Sequence, residues 1–275
     1  MHINLEQHTK DIPPLQDSVM SALGILAKDD VDFHCLENTI NSDPALVGLV
    51  LKLANTPFYG MQKEVASIRE ANIILGVHTL RNILVTAGVT ARFPETDGTL
   101  LDRKALWAHM RGVAVCAQVF ARRLGVDVGK AFTAGLLHDV GKLVLDCHYE
   151  NELAEILAVR DKNNCLFREA EEEILGINHA DIGAIIAKSW RLPDDVVSAI
   201  ENHHDVERGG VSMLACIVQA ADMSARALKL GNGGDNLIPP LEKKVTDMLG
   251  WDNLGIKDIS TEIHEMYEEF SNIFS

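Results

Sequence analysis

The chain has 275 residues, 47% hydrophobic and 24% charged, and its 25 Lys plus Arg against 40 Asp plus Glu give a formal net charge of −15. That balance excludes a disordered or collagen-like chain and leaves enough residues to bury a core without staples. It also opposes binding to a nucleic-acid backbone or an anionic membrane surface, since both must be met by Lys and Arg. Cys35, Cys116, Cys147, Cys165 and Cys216 form no CxxC pair, which is the pattern of reduced thiols in a cytoplasmic protein. The N-terminus lacks a basic segment followed by an apolar one, so no signal peptide is expected. The longest apolar stretch is split by Arg81, so no membrane span is expected either.

Helical periodicity runs through nearly the whole chain. Asp43-Pro44 supplies an N-cap and a proline at the first helical position. Leu46, Val50, Leu53 and Ala54 then recur at helical spacing. Residues 55–67 join this helix to a second, in which Leu80, Ile83, Leu84 and Ala87 repeat the pattern. FPETDGTL (93–100) is a break. Asp102 opens a long helix that Gly125 closes. DVGKAFTAGLLHDVGKLVLDC predicts one further helix, followed by ENELAEILAVRDKN, HADIGAIIAKSW, PDDVVSAIENH and SMLACIVQAADMSARALKL. LGNGGDNLIPP (230–240) is the strongest linker signal. Beyond it, Ile259, Ile263, Met266, Tyr267, Phe270 and Phe274 form an apolar stripe on an acidic helix, which predicts packing back onto the body. No segment alternates with period two, so the expected fold is all-α.

The chemistry lies in histidines with apolar neighbours. His138-Asp139 interrupts AGLLHDVGKLVL, and Lys142 follows within one helical turn of both. Taken alone, that dyad equally describes an Asp–Lys helix pair beside a satisfied histidine. His109, His179, the adjacent pair His203 and His204, and Asp222 lie in other helical segments. Side chains from several helices converge in a bundle core. Imidazole and carboxylate together are a ligand set for Zn, Mn, Fe, Co or Ni. Neighbouring residues on a helix point about 100° apart. His203 and His204 can therefore reach one ion only where the helix ends, and residues 206–210 supply that exit.

The order His109, His138-Asp139, His179, His203-His204, Asp222 resembles the H…HD…H…HH…D pattern of HD-domain metal-dependent phosphohydrolases, and most of all their binuclear branch, which includes the HD-GYP phosphodiesterases. DPALVGLVLKLANTPFYG (43–60) and SIREANIILGVHTLRNILV (67–85) resemble the N-terminal helical half of the HDOD family, a bacterial signalling module related to HD domains. The likeness runs from about residue 12 to residue 225. It implies an HDOD-like bundle with an N-terminal helical half (1–98), a metal-binding bundle (99–230) and a C-terminal helical extension (231–275). It implies two transition-metal ions, Fe or Mn first and then Zn, Ni or Co. His109, His138, Asp139 and Asp222 would hold one, and His179, His203 and His204 the other, with Asp139 bridging. Asp139 and Lys142 would be the catalytic pair, Lys142 meeting a phosphate oxygen of a small phosphorylated substrate.

Two departures limit the likeness. The residues after His204, DVERGGVS, lack the Gly-Tyr-Pro segment tied to cyclic di-GMP. Ala105 stands where some relatives carry a Glu for a third metal, so two ions are the ceiling. The leading expectation is a phosphohydrolase in bacterial signalling. The alternative is a non-catalytic module that binds a signalling protein and retains a metal site.

Overall fold

The computed structural model describes residues 15–26, 30–55, 63–208, 210–235, 237–251 and 256–271. It is all-α, with no strand among the described residues. The chain divides into two compact units, one of residues 95–263 and one of residues 13–94 with 264–275. No single helix among the described residues is long and apolar enough to cross a membrane.

The unit of residues 13–94 with 264–275 holds α1 (Asp17–Leu26), α2 (Phe33–Asn41), α3 (Pro44–Ala54) and α4 (Ile68–Arg92). Asp43 caps α3 as its sequence predicts, accepting from the N–H groups of Ala45 and Leu46, and Ser18 of α1 donates to the same carboxylate at 2.8 Å. Leu46, Val50, Leu53 and Ala54 are buried, as are Leu80, Ile83, Leu84 and Ala87. The second set sits in the later part of α4. The helix breaks at Gly76 (φ 77°, ψ 167°), a backbone conformation that a residue with a Cβ rarely adopts. Most of the predicted 55–67 connection, residues 56–62, lies outside the described residues.

The other unit is built on α5 (Arg103–Leu124), opened by Asp102 and closed by Gly125. Its buried stripe, from Leu106 and Trp107 to Phe120, packs with α6 (Val128–Leu137) and α12 (Met213–Ala227). Between them come α7 (Val140–His148), α8 (Glu150–Asn163), α9 (Phe167–Leu175), α10 (His179–Ser189) and α11 (Asp194–Glu201). After α12 follow α13 (Lys243–Leu249) and α14 (Ile256–Ser271), the unit boundary falling after Ile263 within α14. Of the predicted C-terminal stripe, Ile259, Ile263 and Phe270 are buried and Met266 and Tyr267 half-buried, while Phe274 lies outside the described residues.

Two sequence expectations need correction. The stretch around His138-Asp139 is two helices, not one: α6 stops at Leu137 and α7 begins at Val140, with Asp139 at φ −101°, ψ 9° between them. The dyad therefore occupies a break, which frees both side chains from the helical surface. Gly141, one residue into α7, lies so close to the start of α10 that a Cβ there would run into the carbonyl of His179. That contact brings His179 up to the dyad. The second correction concerns the glycine-rich segment after α12. It is no free linker, because residues 231–235 are bonded across the same end of this unit.

Candidate metal centre

All seven predicted ligand residues converge in the 95–263 unit. His109 comes from the middle of α5, His138 and Asp139 from the α6–α7 break, and His179 from the first residue of α10. His203 and His204 lie in the turn after α11, and Asp222 on α12. Asn178 caps α10 by accepting from Ala180 N and Asp181 N, and Asp181 returns the bond to Asn178 N. That capping box fixes the backbone of His179. Because α11 stops at Glu201, before the paired histidines, both can turn the same way. Their ring centroids lie 3.8 Å apart.

Three of the rings, His138, His179 and His203, are aimed by their Nδ1 atoms. His138 Nδ1 donates to Gly135 O at 2.7 Å, and His203 Nδ1 donates to Ile200 O at 2.7 Å. A carbonyl only accepts, so in both rings the proton sits on Nδ1 and the Nε2 lone pair faces inward. His179 Nδ1 meets the Glu171 carboxylate at 2.5 Å, and the same oxygen accepts from His179 N at 3.0 Å. A ring N–H given to a carboxylate or carbonyl is the usual second layer of a metal-binding histidine.

The inward atoms gather around Asp139. His179 Nε2 lies 3.0 Å from Asp139 Oδ1, His138 Nε2 3.4 Å from Oδ2 and His109 Nε2 3.7 Å from Oδ2. His109 Nε2 is also 3.0 Å from Asp222 Oδ1, and His204 Nε2 is 2.8 Å from His179 Nε2. Three overlapping groups each place their ligand atoms within 4.8 Å of one another: His109, His138 and Asp222; His138, Asp139 and His203; and His179, His203 and His204. His109 Nε2, His138 Nε2, His203 Nε2 and Asp139 Oδ1 are buried with no partner in hydrogen-bond geometry, the short approaches to His109 and Asp139 being out of line. An unsatisfied buried polar atom costs about 1–3 kcal/mol. Several around one point, all nitrogen or carboxylate oxygen, are the donor set that suits a transition-metal ion.

Burial holds His109 below the ordinary histidine range. Burial does the same for His203 and His204, reinforced by the neighbouring rings. For His179 burial is outweighed by the Glu171 carboxylate, and its pKa is raised. Burial alone would lift Asp139, but His138, Lys142 and His179 hold it well below the usual carboxylate range. Burial would likewise lift Asp222, and Arg226 holds it down. In metal-free protein the three neutral rings take up protons only on unfolding. Stability should therefore fall as pH drops through the unfolded histidine value near 6.5, with His179 alone opposing. Urea unfolding of the metal-free protein should show a loss on the order of 1–3 kcal/mol between pH 7.5 and 5.5. The two aspartates add their loss only below about pH 4. A flat profile between 7.5 and 5.5 would contradict this picture.

Lys142 does not face an open anion site here. Its side chain is fully buried, its Nζ bonded to Asp139 Oδ2 at 2.8 Å and to Gly233 O at 2.6 Å, and it lies 5.1 Å from the centre of the Phe167 ring. The sequence reading did not single out Glu171 or Arg226. Glu171 hides in the acidic run EAEEEIL. It shares the buried face with Phe167, Ala170 and Leu175, and that spacing is its one signal. Arg226 pairs with Asp222 at 2.8 Å, one helical turn away on α12. Glu171→Ala should weaken metal binding by about 10–100-fold, the usual effect of losing such a support, as read by competition with a chelator. An unchanged affinity would reduce Glu171 to a packing residue.

The HDOD domain family model matches residues 12–206. An HDOD domain protein of unknown function from Geobacter sulfurreducens has a crystal structure that superposes with a TM-score of 0.80. It is 26% identical, covering 98% of this chain and 99% of that one. A Shewanella amazonensis protein with a provisional phosphohydrolase name superposes with a TM-score of 0.77 at 26% identity, covering 98% of each chain. The ribonuclease Y of Acetivibrio thermocellus is 35% identical over 153 residues, 55% of this chain and 23% of the enzyme. The chain spans well under half the length of these curated relatives, 38% of one from Treponema pallidum and 23% of the ribonuclease Y. A family model matched over most of the length, on an architecture shared nearly end to end with an HDOD domain structure, makes this chain a member of the HDOD family.

Proposed function

We propose that the 95–263 unit holds a binuclear transition-metal centre and that its chemistry is hydrolysis of a small phosphoester. The supporting observation is the cluster of buried Nε2 atoms of His109, His138 and His203 with Asp139 Oδ1, none of them in hydrogen-bond geometry with a partner. His109, His138 and Asp222 would hold one ion and His179, His203 and His204 the other, with Asp139 between. The chemistry such ions supply when bound is Lewis-acid activation of water for displacement at phosphorus. The chain's own part is to fix the rings through Gly135, Ile200 and Glu171, to keep Asp139 and Asp222 ionised, and to exclude bulk water. The Shewanella neighbour and ribonuclease Y, which bear phosphohydrolase and ribonuclease names, agree with phosphoester chemistry. The charge of −15 favours a small substrate over a long polyanion.

One observation favours the second reading, a signalling module that keeps the metal without turnover. The cavity at the mouth, between Lys142, Phe167, His204, Arg226 and Asp235, is about 10 Å³, roughly what one water needs. A screen of nucleotides, cyclic dinucleotides and an aryl phosphate, with Mn or Fe supplied, separates the two. Turnover that disappears in Asp139→Ala supports the enzyme. Metal-loaded protein inert on every substrate gives the case to the signalling module.

A further inference from the structure

Residues 231–235 cross the mouth of this cluster and are tied down at successive positions. Asn232 N donates to Ala105 O at 2.9 Å, and Lys142 Nζ donates to Gly233 O at 2.6 Å. Arg160 donates to Gly234 O. The Asp235 carboxylate takes the Arg226 guanidinium at 2.5 Å on one oxygen and Phe167 N–H at 3.0 Å on the other. Gly233 lies so near His109 that a Cβ there would come to 3.0 Å from Nε2. The Asp235 and Arg226 side chains are 4% and 7% exposed, so this is a buried ion pair at the entrance and not a surface contact.

The donors meeting these residues are unusual for a loop anchor. Lys142 also touches Asp139, and Arg226 also touches Asp222. Each cation thus has one hand on a candidate metal ligand and the other on residues 231–235. Ammonium, guanidinium and a backbone N–H are the groups that receive phosphate oxygens, and a carboxylate satisfies the same donors. The cavity between these donors has room for about one water, too little for a phosphoester while Asp235 holds its place.

We propose that residues 231–235 are a built-in pseudosubstrate strap: the Asp235 carboxylate and Gly233 carbonyl stand where the anionic oxygens of a phosphoester bind, on Arg226, Phe167 N–H and Lys142. An incoming phosphoester displaces them, and the strap holds the site off until it does. This rests on the phosphoester reading above, and on donors that belong to the chain whether or not metal is bound. The strap lies beyond residue 206, where the HDOD family match ends.

Inorganic phosphate is the probe. Titration calorimetry on wild type, Asp235→Asn and Asp235→Ala, each metal-replete and metal-free, reads affinity. A competing strap lowers apparent affinity by the fraction of time it is off. Asp235→Ala should therefore bind phosphate at least about 10-fold more tightly than wild type. Asp235→Asn, which keeps the shape and loses the charge, should fall between. Hydrogen exchange on the wild type should show residues 231–235 exchanging faster at saturating phosphate, because the strap has left. Equal affinity in wild type and Asp235→Ala, binding in neither, or exchange that is unchanged or slowed would overturn the strap. Metal content of the same samples reports on the metal centre by itself, so a failed centre and a failed strap give different results.

Discussion

Asp139→Ala protein, made under metal-replete conditions, is expected to carry almost none of the metal that wild type carries. Asp139 is the one residue whose carboxylate faces both halves of the cluster, with Oδ1 toward His179 and Oδ2 toward His138 and His109. Its two oxygens are held ionised by the rings and ammonium around them. Losing a support behind a ligand costs about 10–100-fold in affinity. Losing the shared ligand should exceed the upper end of that range. Elemental analysis of purified protein, beside a fold check by circular dichroism, is the measurement. Metal content near wild type in Asp139→Ala would mean that the seven residues do not act as one centre.

Lys142→Ala is expected to be the most destabilising single change at the site in metal-free protein. The ammonium is fully buried and paired with a fully buried carboxylate. Removing one partner of such a pair leaves the other charge uncompensated, at about 3–5 kcal/mol. Here the Gly233 carbonyl also loses its donor. Urea unfolding should show a loss of that order. Lys142→Met, which restores volume without charge, should recover only a small part of it. The double variant Asp139→Ala/Lys142→Met should lose far less than the sum of the single changes, because the stranded charge is gone. Metal added to Lys142→Ala should return stability, since a bound cation beside Asp139 replaces the missing one. A loss below about 1 kcal/mol would place Lys142 in the class of weak helix-surface pairs.

The helices and their ends were legible in the sequence because their signals are local. Asp43 before Pro44, Asp102 before α5 and Gly125 after it each act within one turn. The seven ligand-type residues were legible as an ordered pattern and by their apolar settings. What the sequence did not disclose depends on contacts between distant segments. The break at His138-Asp139 falls within a continuous apolar run, and it is the approach of Gly141 to His179 that makes sense of it. Glu171 looks like one more exposed acid until its neighbours on the buried face are counted. LGNGGDNLIPP has the composition of a linker, and only the donors waiting for it on α7, α8, α9 and α12 make it a covering segment.

The spread of the seven residues along the chain, from His109 to Asp222, also dictates the order of events during folding. Only His138 with Asp139 and His203 with His204 are adjacent in the unfolded chain. Every other ligand must be delivered by closing a long loop, and closure entropy is met before any contact rewards it. An unfolded chain therefore presents at most a two-residue grip, and the full cluster exists only once α5, α6, α10, α11 and α12 have docked. The rate at which fresh chain acquires tight metal should then follow the rate of folding and stay nearly independent of metal concentration.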